Sequence, residues 1–276
     1  MRNRESAVLY ELDAGVATIT LNRPGSLNSM NNDLMQQLDQ ALQNVEGDEA
    51  VRVVVLTGAG RGFCSGADLS DDGDATGPES SADAQLSGDA AAANMDDVFH
   101  PPIRRLSTLP VPTIARINGV AAGGGLGLAL GCDVAVAARS ARFVCTFGPR
   151  LGIVPDLGTT FHLPHRVGKA RARGIAMLGE PISAEQAVDW GLIWSVVDDE
   201  HLDDAVAEVA ARLARSSPEA MARIRQSLES AEVNTLGEQL DLEMNHQRVL
   251  IPRNMGEGAE AFRDKREPEF GPGRWH

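Results

Sequence analysis

Aromatic side chains are scarce in this sequence of 276 residues. They make up 4% of the chain and include a single Tyr, whereas apolar residues of all kinds make up 43%. A core must therefore be built mainly from Ala, Val, Leu and Ile. The chain length suits one large domain, or one domain with a helical appendage.

Cysteine is also rare, and its count is odd. Cys64, Cys132 and Cys145 do not make a disulfide framework, and such sparse use is typical of a reducing compartment. No uncharged apolar run reaches the length of about 18 residues that a transmembrane helix needs. Residues 1–5 contain no apolar signal-peptide segment. We therefore expect a cytoplasmic protein with no membrane partner.

Positive charge is in short supply. The chain has 25 Lys and Arg residues against 39 Asp and Glu residues, which gives a net charge of −14. Nucleic-acid binding needs clustered cations to neutralise phosphates, so this composition argues against a nucleic-acid partner. An anionic ligand would need a local basic patch.

Hydrophobic patterns and glycine turns predict an α/β fold. Apolar and β-branched runs predict two strands of a hairpin within 7–21, and single strands at 51–57, 113–118 and 133–137. Helical periodicity predicts helices at 34–46, capped by Asn31-Asn32-Asp33, and at 125–131, 183–190 and 200–215. Two units of strand, glycine turn and helix follow one another, so we expect parallel strands.

Residues 70–100 differ from the rest of the chain. They carry many Asp and Glu residues and no Lys or Arg, with Ser, Gly and Ala between them. Charge of one sign and low hydropathy predict a mobile segment. It is either a solvated surface insert or a flap beside a functional site.

Two glycine-rich turns carry the main chemical information. One is Cys64-Ser65-Gly66-Ala67-Asp68, and the other is Gly123-Gly124-Gly125. Glycine lets a ligand approach the backbone closely, and two N–H groups aimed at one oxygen form an oxyanion hole. The alternative is that both turns are tight strand–helix connections. Neither cluster has the G-x-G-x-x-G spacing of a dinucleotide site, and no G-x-x-x-x-G-K-[ST] phosphate loop occurs.

Five motifs in order resemble those of the enoyl-CoA hydratase/isomerase (crotonase) family. They are Leu21-Asn22-Arg23-Pro24 with Asn28, GFCSGADL at 62–69, INGVAAGGG at 117–125, Gly152-Ile153-Val154-Pro155-Asp156 with Leu163-Pro164, and EGAEAFRDKR at 257–266. The resemblance runs from about residue 7 to residue 270. Each motif is short, and their common order carries the resemblance.

The resemblance implies a fold, an assembly and a ligand. The fold would be α/β of the crotonase-like (ClpP/crotonase) type, a spiral of ββα units with a C-terminal helical region. Residues 1–200 would form the spiral core, and residues 201–276 a C-terminal helical trimerisation region. The implied assembly is a homotrimer or a homohexamer. The implied partner is an acyl-CoA substrate, with no cofactor beyond the coenzyme A of that substrate and no metal.

The same resemblance implies roles for individual residues. Ala67 and Gly124 match the family's two oxyanion-hole residues. Lys265, like Arg266, is a candidate contact for the CoA phosphates across a subunit interface. Five further residues fall where the family contacts CoA or frames the first turn: Arg23, Ser26, Ser65, Asp68 and Leu69.

The catalytic carboxylates are where the sequence departs from the hydratases that it resembles. Those enzymes carry one glutamate at the position of Gly127 and a second at the position of Gly148. Hydration needs a positioned acid and base, each worth roughly 10²–10⁴-fold in rate. The sequence therefore argues against ordinary hydratase activity. Asp156 matches an aspartate that transfers protons in some isomerases of the family; alternatively it caps the following turn or helix.

These features predict an enzyme, an isomerase of enoyl-CoA esters. In it Asp156 would move a proton, while Ala67 and Gly124 would hold the enolate. The alternatives are an atypical enoyl-CoA hydratase and a non-catalytic acyl-CoA-binding protein. The acyl group is left open, since it depends on residues 70–100 and on side chains such as Leu126, Phe143 and Phe147.

Three further patterns have simpler interpretations. Residues 62–66 spell G-x-C-x-G, but a nucleophile elbow should follow its strand directly, and 58–61 intervene. His162 and His165 lack the glutamate of a zinc helix and are expected to be core or surface histidines. A basic cluster is expected to be a solvated helix face, with a CoA phosphate contact as the alternative: Arg166, Lys169, Arg171 and Arg173.

Overall fold

The computed structural model describes residues 6–69 and 88–271. Its larger sheet has six strands in the order β1-β2-β3-β5-β7-β10, in which β1 and β2 form the predicted antiparallel hairpin and every later pair is parallel. In that order the strands are Val8–Asp13, Val16–Leu21, Val53–Gly58, Thr113–Ile117, Val134–Ala138 and Ser195–Val197.

A smaller sheet lies beside the larger one. Its four strands, in the order β4-β6-β8-β9, are Gly62–Cys64, Val120–Ala122, Arg142–Val144 and Ile182–Ser183. Strands β4, β6 and β8 each follow a strand of the larger sheet within a few residues, and each is then followed by a helix. The chain therefore repeats a ββα unit, which is the spiral that the resemblance implies.

Nine α-helices lie within the described ranges. They are α1 (Asn32–Gly47), α2 (Gly88–Asn94), α3 (His100–Thr108), α4 (Gly124–Leu130), α5 (Thr159–Leu178), α6 (Ala184–Asp189), α7 (Leu202–Arg215), α8 (Pro218–Ser230) and α9 (Leu236–Asp264). The predicted cap of α1 is confirmed, because the side chain of Asn31 accepts a hydrogen bond from the N–H of Leu34.

The main core lies between the two sheets and helices α1, α3, α4 and α5. Strand β3 is buried along its whole length, as its near-continuous β-branched sequence predicts. Its second face packs against α7, where Leu202, Val206 and Ala210 form a smaller cluster with Val53 and Val55. Helix α7 thus rests on the sheet of the spiral. The division of the chain at residue 200 stays a prediction.

The segment that precedes α3 has regular structure in its described part. Residues 88–100 form α2, a π-helical turn at Met95–Phe99 and the start of α3, and the expected mobility of this segment stays a prediction. Phe99 is buried and Val98 packs against the main core, which anchors these turns despite their acidic composition. The remainder of the predicted segment, 70–87, lies outside the described residues.

One face of α9 is apolar and exposed. Its large residues recur at spacings of four and seven, which places them on one side of the helix: Leu236, Leu240, Met244, Ile251, Met255 and Phe262.

In the described part of the chain, no helix is long and apolar enough to cross a membrane.

Two asparagine side chains fix the turn between β3 and β4. Asn28, fully buried with a positive φ of 58°, donates from Nδ2 to the carbonyls of Ala59, Gly62 and Phe63 at 3.0, 2.8 and 3.2 Å. Its Oδ1 accepts from the N–H of Arg23 at 2.9 Å. The amide of Asn118 donates to three carbonyls of the same turn, those of residues 58, 60 and 62. The glycine-rich turn is therefore held by side-chain donors.

Replacing Asn28 by alanine is expected to lower the free energy of unfolding by about 2–4 kcal/mol, because buried carbonyls would lose their donor. Chemical denaturation at fixed protein concentration measures the change. Asn44→Ala, on the exposed face of α1, is the matched control and should change stability by about 0.5 kcal/mol or less. Equal stability of the two variants would contradict this role of Asn28.

Candidate active site

The first glycine-rich turn is held against the segment that follows the β2 loop. Ala67 pairs with Met30 in a parallel bridge, in which the Met30 N–H donates to the Gly66 carbonyl and the Asp68 N–H donates to the Met30 carbonyl, both at 2.8 Å. Along an extended chain, successive N–H groups point in opposite directions. The N–H of Ala67 therefore points away from Met30.

The second turn brings the start of α4 to the same place. Gly123 has φ 53° and ψ −129°, and its N–H donates to the carbonyl of Val144 at 2.9 Å. Gly124 is the first residue of α4, so its N–H has no acceptor within the helix. A Cβ atom on Gly66 would lie 3.5 Å from the Gly124 nitrogen and 3.0 Å from the Ala122 carbonyl oxygen. The two turns are thus in direct contact.

A cavity of about 290 Å³ opens beside these two turns, and Ala67 and Gly124 are both in its wall. Most of the remaining wall is apolar. Two π-helical turns, Met95–Phe99 and Phe147–Leu151, contribute to it, and π-helical turns are frequent at functional sites. The large apolar side chains of the wall include Met30, Met95, Phe99, Phe147, Leu151 and Leu157.

Asp156 is the one ionisable side chain among the described residues that line this cavity. It begins a tight turn in which Leu157 and Gly158 have φ angles of 48° and 79°, and the Thr159 N–H donates to the Asp156 carbonyl at 2.9 Å. Burial raises the pKa of Asp156 to about 6, against smaller opposing effects from a backbone hydrogen bond and the charge of His100. Asp156 therefore holds a proton more tightly than an ordinary carboxylate.

The sequence model of the family described as Enoyl-CoA hydratase/isomerase matches residues 11–273. The chain belongs to the enoyl-CoA hydratase/isomerase family. The 1,2-epoxyphenylacetyl-CoA isomerase of Escherichia coli K12 is 47% identical, over 95% of this chain and 97% of that protein.

Solved structures of the family share the fold. The enoyl-CoA hydratase of Bacillus anthracis has a TM-score of 0.86 at 30% identity, over 97% of this chain and 100% of that one. The enoyl-CoA hydratase of Mycobacterium smegmatis has a TM-score of 0.84 at 29% identity, over 96% and 99%. The predicted crotonase fold, family and enzyme class are confirmed. Both isomerases and hydratases occur among the relatives, so membership alone does not select the reaction.

The two positions where hydratases of the family carry glutamates differ in their surroundings. A Cβ atom on Gly127 would lie 2.5 Å from the Leu157 carbonyl oxygen and 2.7 Å from the Thr159 hydroxyl. A Cβ atom on Gly148 would meet one atom within 4 Å, the Ala176 carbonyl oxygen at 3.4 Å. The place of the first glutamate is therefore filled by the turn that carries Asp156, whereas the place of the second is open.

Five predicted substrate-binding residues surround the first turn. Ser65 and Leu69 line the cavity, and the Ser65 hydroxyl donates to the carbonyl of Ser26 at 3.0 Å. Arg23 and Asp68 form an ion pair of 2.7 Å with each other. Ser26, Arg23 and Asp68 lie beside the cavity wall and join the loop after β2 to the turn.

Lys265 is the predicted residue that lies apart from the others. It ends α9 with a positive φ of 55°, is exposed, and is not among the residues that line the cavity. Of the three side chains expected to shape the pocket, Phe147 lines the cavity, whereas Leu126 and Phe143 are fully buried in the core.

Sequence reasoning missed Leu157 as part of the cavity wall, whereas Met95 and Phe99 lie in the segment 70–100 that was expected to shape the pocket. The positive φ of Leu157 could not be predicted from its residue type, because leucine rarely adopts that conformation. Met95 and Phe99 are apolar residues in an acidic segment, which was the available signal for a buried face.

The other chemical candidates have structural roles. His162 is largely buried, which lowers its pKa to about 4, and His165 pairs with Glu232 at 2.7 Å. No group of three or more metal-binding side chains occurs within 6–69 and 88–271. In the basic cluster, Arg166 donates to the carbonyls of Leu130 and Cys132 at 2.7 and 2.9 Å and so binds the end of α4. Lys169, Arg171 and Arg173 are exposed, as predicted for a solvated helix face.

The three cysteines are expected to be unreactive in the folded protein. Burial raises the pKa of Cys64 and Cys132 to about 12 and that of Cys145 to about 11. A thiol-reactive disulfide reagent at pH 8 should therefore label none of them quickly, since the thiolate is the reactive form. All three should react after denaturation. If one thiol of the native protein reacts quickly and Cys64→Ser abolishes that reaction, Cys64 would again be a candidate nucleophile.

Proposed function

We propose that this protein is an isomerase that shifts the double bond of an enoyl-CoA thioester. One observation carries the proposal: among the described residues that line an apolar cavity, Asp156 is the single ionisable side chain, and Ala67 and Gly124 line the same cavity. A double-bond shift needs one group that removes a proton and returns it. It also needs a means of stabilising the intermediate enolate.

The reaction begins with a 3-enoyl-CoA in the cavity. The carboxylate of Asp156 removes a proton from C2, and the electrons of that C–H bond move onto the thioester oxygen to give a dienolate. The N–H groups of Ala67 and Gly124 donate hydrogen bonds to this oxygen. Asp156 then returns the proton at C4, the C2–C3 double bond forms, and a 2-enoyl-CoA leaves. The raised pKa of Asp156 suits both steps. Its carboxylate is a stronger base for removing the proton from C2, and its carboxylic acid can return that proton at C4.

Gly127 and Gly148 disfavour the hydratase alternative. Addition of water uses one group to activate the water and another to protonate the substrate, whereas the described wall of this cavity offers one carboxyl group. The third alternative, a protein that binds acyl-CoA without catalysis, gives no reason for an ionisable side chain in an apolar wall, where its charge is costly.

An aryl acyl group is the second candidate substrate. The relative from Escherichia coli is named a 1,2-epoxyphenylacetyl-CoA isomerase. The cavity, with the rings of Phe99 and Phe147 in its wall, has the apolar and aromatic character that suits a ring. We therefore assign both the enoyl and the aryl acyl groups to the same cavity, beside Ala67, Gly124 and Asp156.

The coenzyme A portion is proposed to bind along the first turn, at Ser65 and Leu69. Arg23, Ser26 and Asp68 support that turn, since their polar groups already bond to one another or to the backbone. Lys265 is proposed to reach the CoA phosphates from a second copy of the chain. The exposed apolar face of α9 supports a homotrimer or homohexamer, because such a face is normally covered. The reaction needs no cofactor and no metal.

Asp156→Asn is expected to lower the rate of 3-enoyl-CoA to 2-enoyl-CoA conversion by roughly 10²–10⁴-fold, because the amide neither removes nor returns a proton. Absorbance of the conjugated product measures the rate, and mass spectrometry in deuterated water follows exchange. Asp189→Asn, at the exposed end of α6, is the matched control and should retain full activity. Unchanged turnover in Asp156→Asn would refute the proposal, 3-hydroxyacyl-CoA formation would favour a hydratase, and tight binding without exchange would favour a binder.

The pH dependence of kcat/KM provides a second test. Proton removal needs ionised Asp156, and its pKa of about 6 is above the ordinary value for aspartate. We expect kcat/KM to rise with pH through about 6 and to level off above it. A rise centred near pH 4 would mean that Asp156 is not desolvated, and a profile with no rise between pH 4 and 8 would exclude it as the base.

A further inference from the structure

Leu157 lies across one face of helix α4. Gly124 and Gly127 are three residues apart, so they present the same face of the helix. A Cβ atom on Gly124 would lie 2.7 Å from Leu157 Cδ1, and a Cβ atom on Gly127 would lie 2.5 Å from the Leu157 carbonyl oxygen. The side chain of Leu157 therefore covers the first glycine, and its main chain covers the second.

The contact at Gly127 involves backbone that has little freedom to move. The turn is closed by the hydrogen bond from Thr159 to Asp156, and Leu157 already has a positive φ of 48°, which is unfavourable for leucine. Leu157 is also buried, with 4% of its side chain exposed. A methyl group at 127 would be too close to a carbonyl oxygen that cannot rotate away.

The Thr159 hydroxyl is the second group that packs against Gly127. It is fully buried, has no hydrogen-bond partner within the described chain, and would be 2.7 Å from a Cβ atom at 127. The space beside Gly127 is thus filled by the Leu157 carbonyl and the Thr159 hydroxyl, which both belong to the Asp156 turn.

We propose that Gly127 is a positioning residue for Asp156. Its missing side chain lets the turn 156–159 rest on α4, which fixes the Asp156 carboxylate relative to the N–H of Gly124. The kinetic consequence of this role rests on the proposed function. The positional consequence does not, because it concerns the ligand-free protein. A side chain at 127 and the Asp156 turn in its observed place would compete for the same space.

The test compares Gly127→Ala with two glycine controls. Gly131→Ala lies just beyond the end of α4 with no atom closer than 3.4 Å to the new Cβ, and Gly174→Ala, within α5 and away from the cavity, meets no atom within 4 Å. We expect Gly127→Ala to lower kcat roughly 10- to 100-fold with a smaller effect on KM. Both controls should stay within about twofold of the unchanged protein. Melting temperatures show which variants are folded.

A second readout does not depend on activity. Carbon-13 NMR of labelled aspartate in the ligand-free protein, assigned by difference from Asp156→Asn, gives the pKa of Asp156. In Gly127→Ala the displaced turn should be better solvated, so the pKa should fall from about 6 toward the ordinary range. In both controls it should not change. A folded Gly127→Ala variant with unchanged pKa and unchanged kcat overturns the proposal.

Two outcomes separate this inference from the proposed function. If the unchanged protein converts no enoyl-CoA, the proposed function fails, and the NMR comparison alone decides the positioning role. If Gly127→Ala does not fold, Thr159→Pro becomes the deciding variant, because it removes the N–H that closes the Asp156 turn and leaves α4 and the cavity wall unchanged. A lower kcat and a lower Asp156 pKa in that variant support the role of the turn, and wild-type values of both overturn it.

Discussion

The absence of side chains at three glycine positions of one short helix is the constraint on which this site depends. Two other pieces of backbone close on α4 at distances that no residue larger than glycine permits. A Cβ atom at Gly125 would lie 2.3 Å from the carbonyl oxygen of Cys64, and the equivalent distance at Gly127, to the Leu157 carbonyl oxygen, is 2.5 Å. Because cores tolerate added methylene groups poorly, these contacts fix the first glycine-rich turn and the Asp156 turn on opposite sides of one rigid element.

This arrangement relates the chemistry to the packing. The N–H of Gly124 has no acceptor within α4 because it begins that helix, and the N–H of Ala67 faces away from the bridge to Met30. Both belong to segments held by backbone hydrogen bonds rather than by mobile side chains. An oxyanion hole is effective only when its donors need no rearrangement as charge develops. The side-chain amides of Asn28 and Asn118, which hold the preceding turn, contribute to that rigidity.

The sequence was sufficient to predict the parts that depend on local patterns. The buried strand β3, the cap at Asn31 and the two glycine-rich turns follow from residue types and spacing, and the structure brings the turns together as the resemblance implies. It was not sufficient for Leu157, whose conformation is imposed by its contact with α4. It was also not sufficient for the helical turns before α3, because helix formation there depends on burying Phe99 against a distant part of the chain. Such tertiary contacts have no local signature.

The two missing glutamates do not have the same meaning. At Gly148 the space is open, so the structure would admit a larger residue and the glycine is explained by nothing around it. At Gly127 the space is filled by the turn that presents Asp156 to the cavity. A protein that had only lost catalytic side chains would show two vacant positions and no replacement group. Here one position is filled by the turn that carries Asp156, a carboxyl group whose pKa burial raises, which supports the proposed proton-transfer reaction over a binding protein without one.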